Sequence, residues 1–156
     1  MIEIRPAGPE DLGPVSKLAA ALVRLHHQWD PKRFMLIEPI EQGYHRFCSG
    51  QLSDEEVVLL VATRDQQIVG YVYGGLEPRN WNALLDRCGA VHDIQVDESM
   101  RKQGIASKLM AAACAKLKAL GAPRVVLMTA QANLEGQRLF EKLGFRRTMV
   151  EMTLEL

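Results

Sequence analysis

The sequence predicts a mixed α/β fold, a central β-sheet flanked by helices, with elements in the order β-α-α-β-β-β-α-β-α-β. Three observations lead there. Apolar residues recur at helical spacing over two long stretches, Val15 to Leu25 and Ile105 to Leu120. Runs rich in β-branched residues at Val57–Thr63, Ile68–Leu76 and Ala90–Val96 read as strands. Turn residues punctuate the boundaries, among them Pro6, Asp65-Gln66, Gly121 and Gly144.

Taken in order, Ile2 to Arg5 is a short strand closed by Pro6. Pro9-Glu10-Asp11 then places acidic residues where a helix start favours negative charge. Val15, Leu18, Ala19, Leu22 and Leu25 mark the dry face of the helix that follows. Pro31 and Pro39 interrupt the next stretch, and a second helix is expected from about Glu38 to Phe47. Val57–Thr63 turns back through Asp65-Gln66-Gln67 into Ile68–Leu76, a hairpin. Pro78 to Cys88 is polar and reads as a surface loop, and Ala90–Val96 is the next strand. Ile105, Leu109, Ala112, Ala113, Leu117 and Leu120 share one helix face, ended by Gly121. Arg124–Thr129 reads as a strand and Asn133–Leu143 as a short helix stopped by Gly144. Phe145–Leu156 alternates and is expected to be a final strand.

A chain of 156 residues suits one domain spanning 1–156. With 47% hydrophobic and 24% charged residues the composition is that of an ordinary soluble globule. The formal net charge is zero, so no field steers the protein to nucleic acid or an anionic membrane. Cys48, Cys88 and Cys114 are odd in number and far apart, with no C-x-x-C pair and no metal-ligand spacing. Thiols kept reduced fit a cytoplasmic protein. The opening Met-Ile-Glu-Ile-Arg lacks the pattern of a signal peptide, and the longest apolar stretch, Val57–Ala62, is too short to span a bilayer.

The chemically informative segment runs from Val91 to Ala106, VHDIQVDESMRKQGIA. A strand passes into a basic turn that opens a helix, where unpaired N–H groups and the helix dipole suit phosphate oxygens. Gly104 removes the Cβ that would keep an anion at a distance, and Arg101 and Lys102 add positive charge. Neither the G-x-x-x-x-G-K-[ST] loop nor the G-x-G-x-x-G fingerprint is present.

A second segment follows the next strand: Asn133 to Phe145, NLEGQRLFEKLGF. Together with R-x-x-G-x-A at Arg101–Ala106, and the amino-terminal Ile-Arg-Pro-Ala-x-Pro-Glu-Asp-Leu run, it resembles the GNAT acetyltransferase superfamily over nearly the whole chain. The resemblance implies the GNAT fold and acetyl-CoA as co-substrate, with no metal. It places the pantetheine arm along Ile94, Gln95 and Val96. The diphosphate falls on the amides of Arg101, Lys102, Gln103, Gly104, Ile105 and Ala106, with Ser107 beside it. Asn133, Phe140 and Lys142 are implied as further cofactor contacts. The reaction implied is attack of an amine on the thioester, with the Ile94 N–H stabilising charge on the carbonyl oxygen.

The acceptor amine must lose a proton, and imidazole is the side chain suited to take it near neutrality, which makes His92 the candidate base. Asp93 reads as structural. The resemblance also implies a tyrosine where this chain has Phe140, so no hydroxyl is available there to protonate the leaving thiolate. Acceptor selectivity is implied for Leu25–Gly50 and Glu77–Cys88, where His26, Trp29, Asp30, Glu38, Glu41, Tyr44, Glu77 and Trp81 suit a cationic small-molecule or peptide amine. A catalytically silent acyl-CoA-binding module is the alternative. A single strand after the last helix would leave a sheet edge open, so a homodimer is expected.

Overall fold

The computed structural model describes residues 1–156. Five strands form one sheet in the order β1-β2-β3-β4-β5. They are β1 (Ile2–Pro6), β2 (Val57–Arg64), β3 (Gln67–Glu77), β4 (Cys88–Val96) and β5 (Val125–Leu127). The first four run antiparallel in succession, and β5 joins β4 in parallel. Helices α1 (Leu12–Trp29), α2 (Ile40–Gln51), α3 (Ile105–Ala119) and α4 (Leu134–Lys142) complete the fold, which is the predicted mixed sheet flanked by helices.

Alternation along the strands divides the core in two. Val58, Leu60, Ala62, Val72 and Val91 face α3, against Ile105, Leu109, Met110, Ala113 and Leu117, with Phe140 of α4 in the same cluster. Leu59, Val61 and Tyr71 face the opposite way, against Leu12, Val15 and Ala19 of α1 and Cys48 of α2. Each of these large side chains contributes about 1.5–3 kcal/mol by leaving water. Where β1 turns into α1, the Arg5 guanidinium donates two hydrogen bonds to buried Asp11, at 2.6 and 2.8 Å, and the Gly8 N–H donates a third at 2.8 Å.

Two boundaries moved. The second helix begins at Ile40, because Pro39 serves as its N-cap in extended conformation, and it continues past Phe47 to Gln51. The expected sixth strand is absent: Phe145–Leu156 takes no strand pairing, and β5, the edge it would have joined, is only three residues long. A strand exists only where a neighbour completes its ladder, and alternation supplies no neighbour. No helix is long and apolar enough to cross a membrane.

Candidate active site

β4 is the backbone of the site. Its parallel pairing with β5 covers only Gly89–Val91 against Val125–Leu127. Beyond Val91, β4 keeps β3 alone as neighbour, through Val72↔Ile94, Tyr71↔Gln95 and Gly70↔Val96. Ile94, Gln95 and Val96 therefore border an opening in the sheet, where a strand-like ligand can take the vacant ladder positions. The side chain of Val96 is buried and Ile94 packs on the α3 core, so these residues have main chain rather than side chain to offer there.

The turn lies at the end of β4. Asp97 caps a short 3-10 segment by accepting from the Ser99 N–H, and the chain then passes through Lys102 at φ 62° and Gly104 at φ 76°. Such left-handed residues near a helix start gather N–H groups into an anion-binding concavity. None of the main-chain N–H groups from Lys102 to Ser107 donates a hydrogen bond within the protein, and no side chain caps the start of α3. A Cβ built on Gly104 would meet nothing within 4 Å. Arg101 and Lys102 are exposed and make no ion pair. Gln103 is held by the Arg64 guanidinium at 3.3 Å, and Ile105 is a core side chain, so each contributes to the turn through its amide.

The other implied contacts fall differently. Asn133 caps α4, with Oδ1 accepting from the Gly136 N–H at 3.0 Å and Nδ2 donating to Thr129 Oγ1 at 3.1 Å. Phe140 is buried, edge-on to Phe145 at 6.1 Å. Lys142 is exposed at the end of α4.

A bulge creates the acceptor side. Tyr73 pairs with Asp93 and Gly74 with Val91, which leaves His92 without a partner. The extra residue brings two consecutive side chains to one face. His92 lies against the Tyr73 ring, centroids 5.5 Å apart, and Asp93 Oδ2 accepts from the Tyr71 hydroxyl at 3.1 Å. Both therefore look toward α1 and α2. Gly74 is required here, since a Cβ would come within 2.2 Å of the Ala90 carbonyl oxygen.

His92 Nε2 donates to Glu77 Oε1 at 2.7 Å, which leaves Nδ1 as the basic nitrogen of a partly exposed ring. Burial holds the Asp93 carboxyl above its ordinary range, opposed by the Tyr71 hydrogen bond. Desolvation, and then the Asp93 charge, raise the Tyr44 and Tyr71 hydroxyls. Phe47 of α2 packs edge-on against Tyr73 at 5.4 Å. Tyr71 and Tyr73 escaped the sequence reading, because period two shows that they share a face but not which one. The bulge itself leaves no sequence signature.

Several acceptor candidates are already occupied. Arg24 pairs with Glu38 at 3.2 Å and Glu41 at 2.8 Å. His26 and His27 each donate Nδ1 to a backbone carbonyl, of Leu22 and Phe34 respectively, both at 2.8 Å. Trp81 is exposed beneath the Arg79 guanidinium, 5.2 Å from its ring. Glu77, beside His92, is the carboxylate that reaches the centre.

A parallel strand pair that opens onto a helix start with unspent amides is an arrangement suited to a phosphate-bearing, strand-like ligand. The chain belongs to the acetyltransferase (GNAT) family, whose model matches residues 20–145. A mycothiol acetyltransferase of Brachybacterium faecium is 32% identical over 87 residues, 56% of this chain and 25% of that protein. The chain thus spans about a quarter of the length of this curated relative. Among solved structures, a tetramutant of the BH1408 protein from Bacillus halodurans matches with a TM-score of 0.84 at 24% identity, covering 99% of both chains. A predicted acetyltransferase from Clostridium acetobutylicum, solved with acetyl-CoA, matches with a TM-score of 0.70 at 18% identity over 99% of this chain and 96% of that one. These likenesses establish the fold.

Proposed function

We propose that residues 1–156 act as a single domain transferring acetyl from acetyl-CoA to a primary amine of a small molecule, peptide or protein. The observation that carries this reading is the run of amides from Lys102 to Ser107, without an acceptor inside the protein, beside the open edge of β4. The idle N–H groups of buried Ile105 and half-buried Ala106 and Ser107 would be a standing cost unless a ligand or water takes them. Acetyl-CoA, bound there, would supply the activated acetyl group as a thioester.

The amides of Lys102 to Ala106, with Ser107 alongside and the charges of Arg101 and Lys102, hold the diphosphate; the Arg101 N–H, expected to join them, is spent on the Glu98 carbonyl. Ile94, Gln95 and Val96 receive the pantetheine arm along β4, and the Ile94 N–H points the thioester carbonyl. Asn133 and Lys142 contribute from α4, while Phe140 shapes the floor without a proton to give. His92 Nδ1 takes the proton from the acceptor ammonium, and Glu77 holds the ring by accepting from Nε2. Asp93, Tyr71 and Tyr73 form the wall that a cationic amine would meet. Unpaired Cys48, Cys88 and Cys114 support a reducing, cytoplasmic setting.

The test is thiol release from acetyl-CoA with a panel of polyamines, aminoglycosides, amino acids and peptide N-termini. Turnover with one class identifies the acceptor. CoA binding without turnover on any of them would overturn the enzyme reading and leave an acyl-CoA-binding module, the role that the missing hydroxyl at Phe140 favours.

A further inference from the structure

Asp93 carries a charge that no cation of the protein answers. Its Oδ2 accepts from the Tyr71 hydroxyl at 3.1 Å, the Tyr44 hydroxyl lies further off, and the carboxylate makes no ion pair. Oδ1 has no donor at bonding distance and is open to solvent, since the structure holds no sealed polar side-chain atom without a partner. Around the carboxylate stand Tyr44 and Cys48 of α2, His26 of α1, Tyr71 of β3 and His92 of β4, each close enough to act on its charge or feel it.

The neighbouring charges are engaged or turned away. Arg24 is held by Glu38 and Glu41, and Arg33 by Glu151. Arg46 is exposed two positions from Tyr44, on another face of α2. Glu77, the other carboxylate at this centre, accepts from His92 Nε2 at 2.7 Å. A carboxylate with a purely structural task would be closed in by donors. This one keeps an oxygen outward.

The reacting amine is a poor lasting partner for that charge. It enters as an ammonium, gives its proton to His92 Nδ1 and ends as an uncharged amide. A carboxylate paired with it alone would lose its partner during the reaction and would hold the proton back. A half-buried anion suits a cation that keeps its charge from binding to product release.

Resting on the acetyltransferase reading above, we propose that Asp93 is a specificity-determining residue that selects a dicationic acceptor: a short diamine or a lysine-like amine, acetylated on one amino group while the second stays charged on the Asp93 carboxylate. Tyr71 fixes that carboxylate from β3. The burial that holds the unpaired carboxyl above its ordinary range is offset when the cation arrives, so acceptor charge and affinity are linked.

Acceptor pairs that differ by one charge test this. Thiol release from saturating acetyl-CoA is measured with straight-chain diamines of three to six carbons, each against the monoamine of equal length, and with lysinamide against norleucinamide. At least one dication should exceed its partner in kcat/KM by about 10- to 150-fold, the range for a charge-assisted contact. Asp93→Asn keeps an oxygen for Tyr71 and removes the charge, so it should bring that ratio toward one through the acceptor KM; circular dichroism and CoA titration check that the variant is folded. Calorimetry of the same pairs into the CoA-saturated, unaltered protein reads the preference without turnover and without a variant. Equal treatment of one and two charges, or a preference that Asp93→Asn retains, would overturn the proposal and leave the enzyme reading intact. Asp93-dependent binding of a dication with no thiol release would uphold the cation site and remove the enzyme reading. Neither binding nor turnover of any dication would overturn the proposal as well.

Discussion

Gly104→Ala tests the turn most directly, because the structure separates its two consequences. At φ 76° an L-residue is strained, and the added Cβ meets no protein atom within 4 Å. The cost to the free protein is then the left-handed backbone alone, roughly 1–2 kcal/mol. In a chain of this length that lowers Tm by about 2–8 °C. The cost to CoA is additional. If a phosphate oxygen sits on the Gly104 amide, the methyl group intrudes on a close contact, worth about 1–3 kcal/mol, or roughly a 5- to 150-fold weaker Kd. Gly121→Ala is the control. Gly121 has φ 90° and equally empty surroundings, just past the other end of α3. It should lose comparable stability and no affinity. Isothermal titration of CoA into both variants decides the matter. Undiminished affinity in Gly104→Ala, or an equal loss in Gly121→Ala, would refute the placement of the diphosphate.

Three further expectations follow from the same geometry. His92→Ala should reduce kcat by about 10²–10⁴-fold with CoA affinity unchanged, and Glu77→Gln should produce a smaller loss of the same kind; steady-state rates matching the unaltered enzyme would remove His92 as the base. The two perturbed carboxyls should show opposite pH dependence when Tm is followed from acid to neutral pH. Asp93 is raised by burial, so its unfolded form holds fewer protons and stability is lost as pH climbs through the raised value; Asp93→Asn should stabilise at neutral pH and gain nothing below about pH 4. Asp11 is lowered by its hydrogen bonds from Arg5 and then Gly8, so its stability is present above the ordinary carboxylate range and is lost as pH falls through the depressed value. Asp11→Asn should therefore destabilise at neutral pH, with the difference closing in strong acid, and profiles of one shared sign would contradict this assignment. Burial pushes the Cys48 thiol up to about 11, so iodoacetamide at neutral pH should label it only after unfolding; mass spectrometry finding it alkylated in the native protein would show that α2 leaves it open.

The turn at Arg101–Ser107 was the most legible part of the candidate site. Its strand, basic residues, glycine and helix are contiguous in the chain, so local rules place Arg101–Ser107 together without long-range information. The acceptor side was legible only in its inventory. Glu77 and His92 are fifteen positions apart, and their 2.7 Å contact depends on the β3–β4 register and on one unpaired residue. Glu38 and Glu41 looked equally available until Arg24, on another helix, engaged both.

By itself the sequence determined five of the six expected strands, the helices, the turn at Arg101–Ala106 and the family resemblance, because each rests on periodicity or on neighbours a few residues apart. Only the tertiary structure decided that β4 opens beyond Val91, that a bulge turns His92 and Asp93 to the same side, and that Phe145–Leu156 finds no strand to join. The physical reason is common to all three. A main-chain hydrogen bond in a sheet is made with a residue far away in the chain, and pattern specifies what a segment can pair as, not whether its partner is there.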